Sequence, residues 1–320
     1  MDRLLGGASK ETQTAARTGP AAAAQDADTA CEIDSTFYRW LTASSRGNAT
    51  PEVEAAILAE VRDLADDPEN ASGLVPRIPD LIAQLLNALS NENISSAAVA
   101  AEVGRDLVLV AEVIREANSA YYRPVKPIET LDGAVAMLGL NGLRMLLARI
   151  AFRPLVRVKV QGVARAVAPN VWRHSERCAF AASVMAPGLS ASVFEAYLAG
   201  LMQNVGLQVA FQVADRHCAG KVPPAGSFGI ELFAASRRLS SVIARHWDFP
   251  ADVVEAIAGA GEPDAPEASH LAQAVAQGDR IAKLRLLLDA GVIEPEDGFV
   301  SAGLDGFQRR CLGKLAELAD

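Results

Sequence analysis

Aromatic residues make up only 5% of this 320-residue chain, and none of its four cysteines forms a CxxC pair. Cys31, Cys178, Cys218 and Cys311 are scattered. That scatter excludes a disulfide framework or a cysteine-rich zinc site and fits reduced thiols in the cytoplasm, the expected location. The start, Met1-Asp-Arg-Leu-Leu-Gly-Gly, lacks an apolar run long enough for a secretory leader. Strand-length alternation with turn chemistry is missing throughout, as is any internal repeat. So are the GxSxG elbow, the Walker-type Gly-Lys-Ser/Thr loop and a GxGxxG following a strand. Positive charge is short as well: the formal net charge of −9 argues against general nucleic-acid binding.

What remains is half apolar. With few aromatics, Ala and Leu must build the core, which favours helices packed closely through small side chains. Periodicity and punctuation predict an all-α chain. Residues 1–30 carry little apolar surface beyond alanine and are expected to form a flexible tail. Residues 31–70 read as a helical extension. Its first piece carries Phe37, Tyr38, Trp40 and Leu41; its second opens at Thr50-Pro51 and buries Val53, Ile57, Leu58, Val61 and Leu64. Further helices follow: one over 82–89, one capped by Ser95 or Ser96, and one capped by Asp106. A helical pair, 128–138 and 143–152, is joined at Gly139-Leu-Asn-Gly142, with Pro154 expected to end it. A helix from about 267 to 290, a connector and a short helix near 307–318 close the chain.

The stretch Ala196–Ala214 holds nineteen residues without a charge. Four amides and two glycines among them favour a buried core helix over a membrane span. Gly200 and Gly206 permit close approach of neighbouring helices. Gln203 and Asn204 sit mid-helix, where buried amides need partners.

The segment Ala199-Gly-Leu-Met-Gln-Asn-Val-Gly206 resembles the Ala-Gly-Leu-Leu-His-Asp-Ile-Gly segment of HD-domain proteins. An ordered set of further pieces resembles the HDOD family, the regulatory relatives of HD hydrolases. They are Ile78-Pro79, the Asp106 helix leading to Asn118-Ser119-Ala120, Ile128 … Ala134 … Leu138-Gly139, Trp172-Arg-His-Ser175, Trp247-Asp-Phe-Pro250 and Leu271–Ala282. Leu107 departs from the family, which usually has Pro after the Asp; only the helix start should feel it. The resemblance covers roughly residues 72 to 290 and implies a multi-helix HD-like bundle over 71–290, followed by a connector and helix over 291–320.

By that resemblance His174 matches the first metal ligand, Gln203 and Asn204 the central His-Asp pair, and Asp279 the last. One His, one carboxylate and two neutral amides are a poor transition-metal site. The extra histidines of related phosphodiesterases would fall near Ser236 and Ala260-Gly261, and are missing too. The expectation is therefore no catalytic residue, no metal and no cofactor. The plainer reading of the survivors makes His174 a core histidine, Asp279 a helix-surface carboxylate, and Gln203 and Asn204 bonded to backbone or to Asp279. If the ancestral arrangement persists, Asn204 should face Asp279 and donate to it. His217, His246 and His270 show no metal-binding spacing and belong at surfaces or helix ends.

From Gly133 to Ser175 no acidic residue occurs, while Arg144, Arg149, Arg153, Arg157, Lys159, Arg165 and Arg173 do. Solvated helix faces explain most such runs. The alternative is an interaction patch of Arg149, Arg153, Arg157, Lys159 and Arg165. The resemblance implies a signal-transduction or scaffold protein binding a protein partner, without membrane. Two alternatives stay open: a residual phosphohydrolase or cyclic-nucleotide binder taking a small anionic ligand in the degenerate pocket, and a nucleic-acid binder using 144–173.

Overall fold

The structure is a computed structural model that describes residues 20–45, 47, 49–67, 74, 95–119, 122–156, 161–218, 221–265, 267–301 and 303–318. These residues are almost entirely helical. In order come α1 (Pro20–Leu41), α2 (Pro51–Asp66), α3 (Ser96–Val103), α4 (Leu107–Ala117), α5 (Leu131–Val156) and α6 (Gly162–Met185). Then follow α7 (Val193–Met202), α8 (Val205–Cys218), α9 (Ser227–His246), α10 (Ala251–Gly259), α11 (His270–Asp289), α12 (Gly298–Ser301) and α13 (Gly306–Leu315). No strand occurs among the described residues; Val222 makes one bridge only, to the backbone of Ser45 and Gly47. Ile78-Pro79 and the helix expected over 82–89 lie outside them.

Several helix starts are fixed by the side chains the sequence offers. Asp106 accepts from the backbone N–H groups of Val108 and Leu109 at 2.7 and 3.2 Å. Ser95 and Ser192 do the same for α3 and α7. Leu107 sits exposed at the first position of α4, so its departure from Pro touches nothing but that turn. Asn118 explains its own place in the family pattern. Its amide donates to the carbonyl of Ile128 and accepts from the N–H of Ile128, both at 2.8 Å, holding the end of α4 against the approach to α5.

α6 runs through the middle and packs against α11, α7 and α8; α9 packs on α8, α2 and α10. Small residues set these approaches. A Cβ on Gly200 would stand 2.7 Å from the Ala179 backbone of α6, and one on Gly206 only 2.2 Å from the Ser236 carbonyl of α9. Either substitution would push two helices apart.

Three expectations are corrected. First, the tail does not reach residue 30: α1 begins at Pro20. Pro at a first position and the alanines 21–24 are good helix formers, and a helix nucleated where Ile33, Phe37, Tyr38 and Leu41 are buried propagates outward through them. Second, the stretch Ala196–Ala214 is not one helix. It breaks at Gln203-Asn204, and Ser240 mends the break: its hydroxyl donates to the Gln203 carbonyl at 2.6 Å and accepts from the Gly206 N–H at 2.8 Å. Third, Pro154 does not end α5, which runs on to Val156. The join at Gly139 is as expected, with φ 65 and ψ 179 separating two helical halves. The stretch Leu131–Arg153 of α5 is long and apolar enough to cross a membrane by length and composition alone. That break interrupts it.

Candidate functional site

Four elements converge on one buried polar cluster. α6 brings His174, Ser175 and Cys178; the α7–α8 break brings Gln203 and Asn204. α9 brings Phe233, Ser236 and Arg237, and α11 brings Asp279 and Lys283. The break is what makes the amides available: with the helix interrupted, both side chains point into the space between α6, α9 and α11 instead of being spread around a helical surface.

Asp279 is the centre. Its Oδ1 accepts from Gln203 Nε2 at 2.9 Å and stands 2.9 Å from His174 Nε2. Its Oδ2 accepts from Lys283 Nζ at 2.6 Å and lies 3.6 Å from the Arg237 guanidinium. Burial alone would raise the carboxyl's pKa, but Lys283 first, then His174 and Arg237, hold it well below the ordinary carboxylate range. Burial likewise opposes the ammonium of Lys283, yet Asp279 and Asp34 hold its pKa above the usual lysine value. The pair is therefore a charged one inside the core. Cys178, whose Sγ is 2.8 Å from Gln203 Nε2, is pushed far the other way by burial and by Asp279, and stays a neutral thiol.

The sequence placed four residues here, and the structure brings all four together. It corrects their pairing: Gln203, not Asn204, donates to Asp279. Asn204 Nδ2 instead contacts His174 Nδ1 and Ser175 Oγ, both at 3.2 Å. Within the shared pocket the two amides reach different partners, Gln203 toward Asp279 of α11 and Asn204 toward His174 and Ser175 of α6. Asp279 is buried and not a surface carboxylate. Lys283, Arg237 and Asp34 were missed. A usable signal existed for Lys283, which follows Asp279 by one helical turn inside the apolar run Ile281-Ala-Lys-Leu284. Nothing local marks Asp34, which reaches Lys283 from 249 positions away, on α1.

The donor set does not fit a divalent metal. The carboxylate that would bind it is already neutralised by an ammonium 2.6 Å away with a guanidinium behind it, and both amides are engaged as donors. Among the described residues no three His, Cys, Asp or Glu side chains are grouped to hold an ion. The pocket that the cluster's side chains line has room for about one water molecule. His217, His246 and His270 are exposed and sit at the ends of α8, α9 and α11.

The basic run divides. Arg144 is buried, with its guanidinium 5.9 Å from the Phe194 ring. Arg149 is paired with Glu116 at 2.5 Å and lies 4.0 Å from Glu176, so it does not belong to an open patch. Arg153 and Arg165 are exposed. Arg157 and Lys159 lie outside the described residues.

Comparison with known proteins agrees with this fold. The HDOD domain family model matches residues 75–263, more than half of the chain, and the chain belongs to that family. The match ends before α11, so Asp279 and Lys283 come to the pocket from beyond it. Among solved structures, an HDOD domain protein with unknown function from Geobacter sulfurreducens is similar, with a TM-score of 0.54 and 22% identity over 81% of this chain and 94% of that one. A candidate metal-dependent phosphohydrolase from Shewanella amazonensis SB2B gives 0.55 and 20%, over 83% and 99%. A candidate signal transduction protein from Marinobacter aquaeolei VT8 gives 0.54 and 20%, over 92% and 63%. At these identities the likeness is one of fold. An uncharacterised protein of Treponema pallidum (strain Nichols) is 23% identical over 213 residues, 63% of this chain and only 39% of its own length.

Proposed function

We propose that this chain is a non-catalytic HDOD signalling or scaffold protein that acts by binding another protein. The observation that carries this reading is Lys283. An ammonium belonging to the chain sits on the one carboxylate that a metal would need, in a pocket with room for about one water. Replacement of the ligand pair by Gln203 and Asn204 points the same way, since neutral amides supply neither the charge nor the lone pairs for a firmly held transition metal. The likeness to a candidate signal transduction protein supports the word signalling. For the contact surface we favour the exposed positive residues Arg153 and Arg165 facing an acidic protein segment; the chain's overall acidic balance disfavours nucleic acid as the partner.

The test is metal analysis of protein purified without chelator, with phosphodiesterase and phosphomonoesterase assays in added Mn²⁺ and Mg²⁺. The expected result is sub-stoichiometric metal and no turnover above the protein-free background. One Fe, Mn or Zn per chain, lost on His174→Ala, would overturn the reading.

A further inference from the structure

α1 lies outside the segment matched by the family model, yet its Asp34 and Phe37 contact Lys283 and His174 of the pocket wall. Asp34 accepts from Lys283 Nζ at 2.6 Å, the same distance at which Lys283 holds Asp279. One turn on, the Phe37 ring stands 4.7 Å from the His174 ring, centroid to centroid. The ammonium lies 5.9 Å from the Phe37 ring and 5.0 Å from that of Phe233. Lys283 is 3% exposed and Asp34 23%, so the bridge runs from the core outward to a partly exposed side chain of α1.

Electrostatics dictates what this bridge does. Asp279 from α11 and Asp34 from α1 converge on one point, and two carboxylates so placed repel unless a cation stands between them. Lys283 is that cation; Arg237, 3.6 Å from Asp279, adds charge on one side only. We propose that α1 is a charge-locked cover: its seating over the pocket depends on a cation held jointly by Asp34 and Asp279, a position Lys283 fills and that a small ammonium ion would fill in its absence. The site so defined uses Asp34, which the family-derived ligand set of His174, 203, 204 and Asp279 does not include. The inference rests on reading Lys283 as the pocket's own cation, and not on the identity of any partner.

The experiment is hydrogen exchange by mass spectrometry on the full chain, comparing peptides from 28–41 with those from α6 and α11. Asp34→Asn removes only the outer half of the bridge and leaves Asp279–Lys283 intact. Exchange over 28–41 is expected to rise by about tenfold, with α6 and α11 unchanged. Lys283→Ala is expected to raise it further, and millimolar ethylammonium to restore protection over 28–41 in that variant but not in Lys283→Ala/Asp34→Asn. Unchanged exchange over 28–41 in Asp34→Asn would overturn the proposal, as would ethylammonium protection that survives loss of Asp34. If Lys283→Ala does not fold, Asp34→Asn alone decides. A metal-free wild type with unaltered α1 in Asp34→Asn would sink this inference while leaving the non-catalytic reading standing; stoichiometric metal in the wild type would sink that reading.

Discussion

The two N-terminal helices, α1 on α9 and α11 and α2 on α8 and α9, are tied to the molecule by opposite means. α1 carries one carboxylate into the core, to Lys283, and buries Ile33, Phe37, Tyr38 and Leu41 around it. α2 is ringed with ion pairs at its surface: Arg62 to Glu231, Asp66 to Arg238, and Glu60 to both Arg216 and His217. By count of charges α2 is the better fastened; by physics it is not. Exposed pairs contribute about 0–1 kcal/mol each because water and salt screen them and two long side chains lose freedom. The buried bridge is different: its net contribution is modest, but removing one partner strands an uncompensated charge and costs about 3–5 kcal/mol. The apolar face of α2, with Ile57, Leu58, Val61 and Leu64, does the holding that its charges do not.

Breaking the buried side of this contrast should give the largest effect. Lys283→Ala leaves Asp279 and Asp34 facing each other and is expected to lose about 3–5 kcal/mol in urea denaturation, with Lys283→Ala/Asp279→Asn recovering part of it. A loss below about 1 kcal/mol would put the core bridge on a par with the surface pairs.

Acid gives the next effect. The folded-state pKa of Asp279 is depressed, so its contribution is complete above the unfolded value near pH 4 and is lost as pH falls through the folded value. That of Lys283 is raised, so its contribution is complete below about pH 10 and fades as pH rises beyond. The wild type should therefore lose stability below about pH 4 more steeply than Asp279→Asn, as read from urea midpoints at a series of pH values. Parallel curves would mean that the carboxylate is not held as described.

Asn204→Asp is expected to cost about 1–3 kcal/mol, since it exchanges a donor to His174 and Ser175 for a further buried carboxylate. An unchanged melting temperature would show that this side of the cluster is wet. At the small end, Arg216→Ala should change stability by about 0–1 kcal/mol, and by less still in high salt. Charge reversal at Arg153 and Arg165 should leave the melting temperature nearly unchanged and weaken capture of an acidic partner in a salt-sensitive way. Undiminished capture would mark those residues as ordinary surface.

Much of this was legible in the chain because it depends on near neighbours. Apolar spacing gave α2, Asp106 gave the start of α4, Gly139 gave the break in α5, and Gly200 and Gly206 gave the close helix approaches. Each rests on a rule that operates within a turn or two of helix. The family pattern gathered His174, Gln203, Asn204 and Asp279, and they do meet. What could not be read was decided by contacts across the chain. Whether the helix breaks at Gln203-Asn204 depends on a serine, Ser240, on another helix, and the break in turn decides which amide reaches Asp279. That the pocket contains its own cation depends on Asp34 and Asp279 arriving from opposite ends of the chain at one lysine. Local sequence determines which helices form and which faces are apolar, because those energies are short-ranged. The pairing of a buried charge is set by whichever groups the packed helices bring within a few ångströms of it.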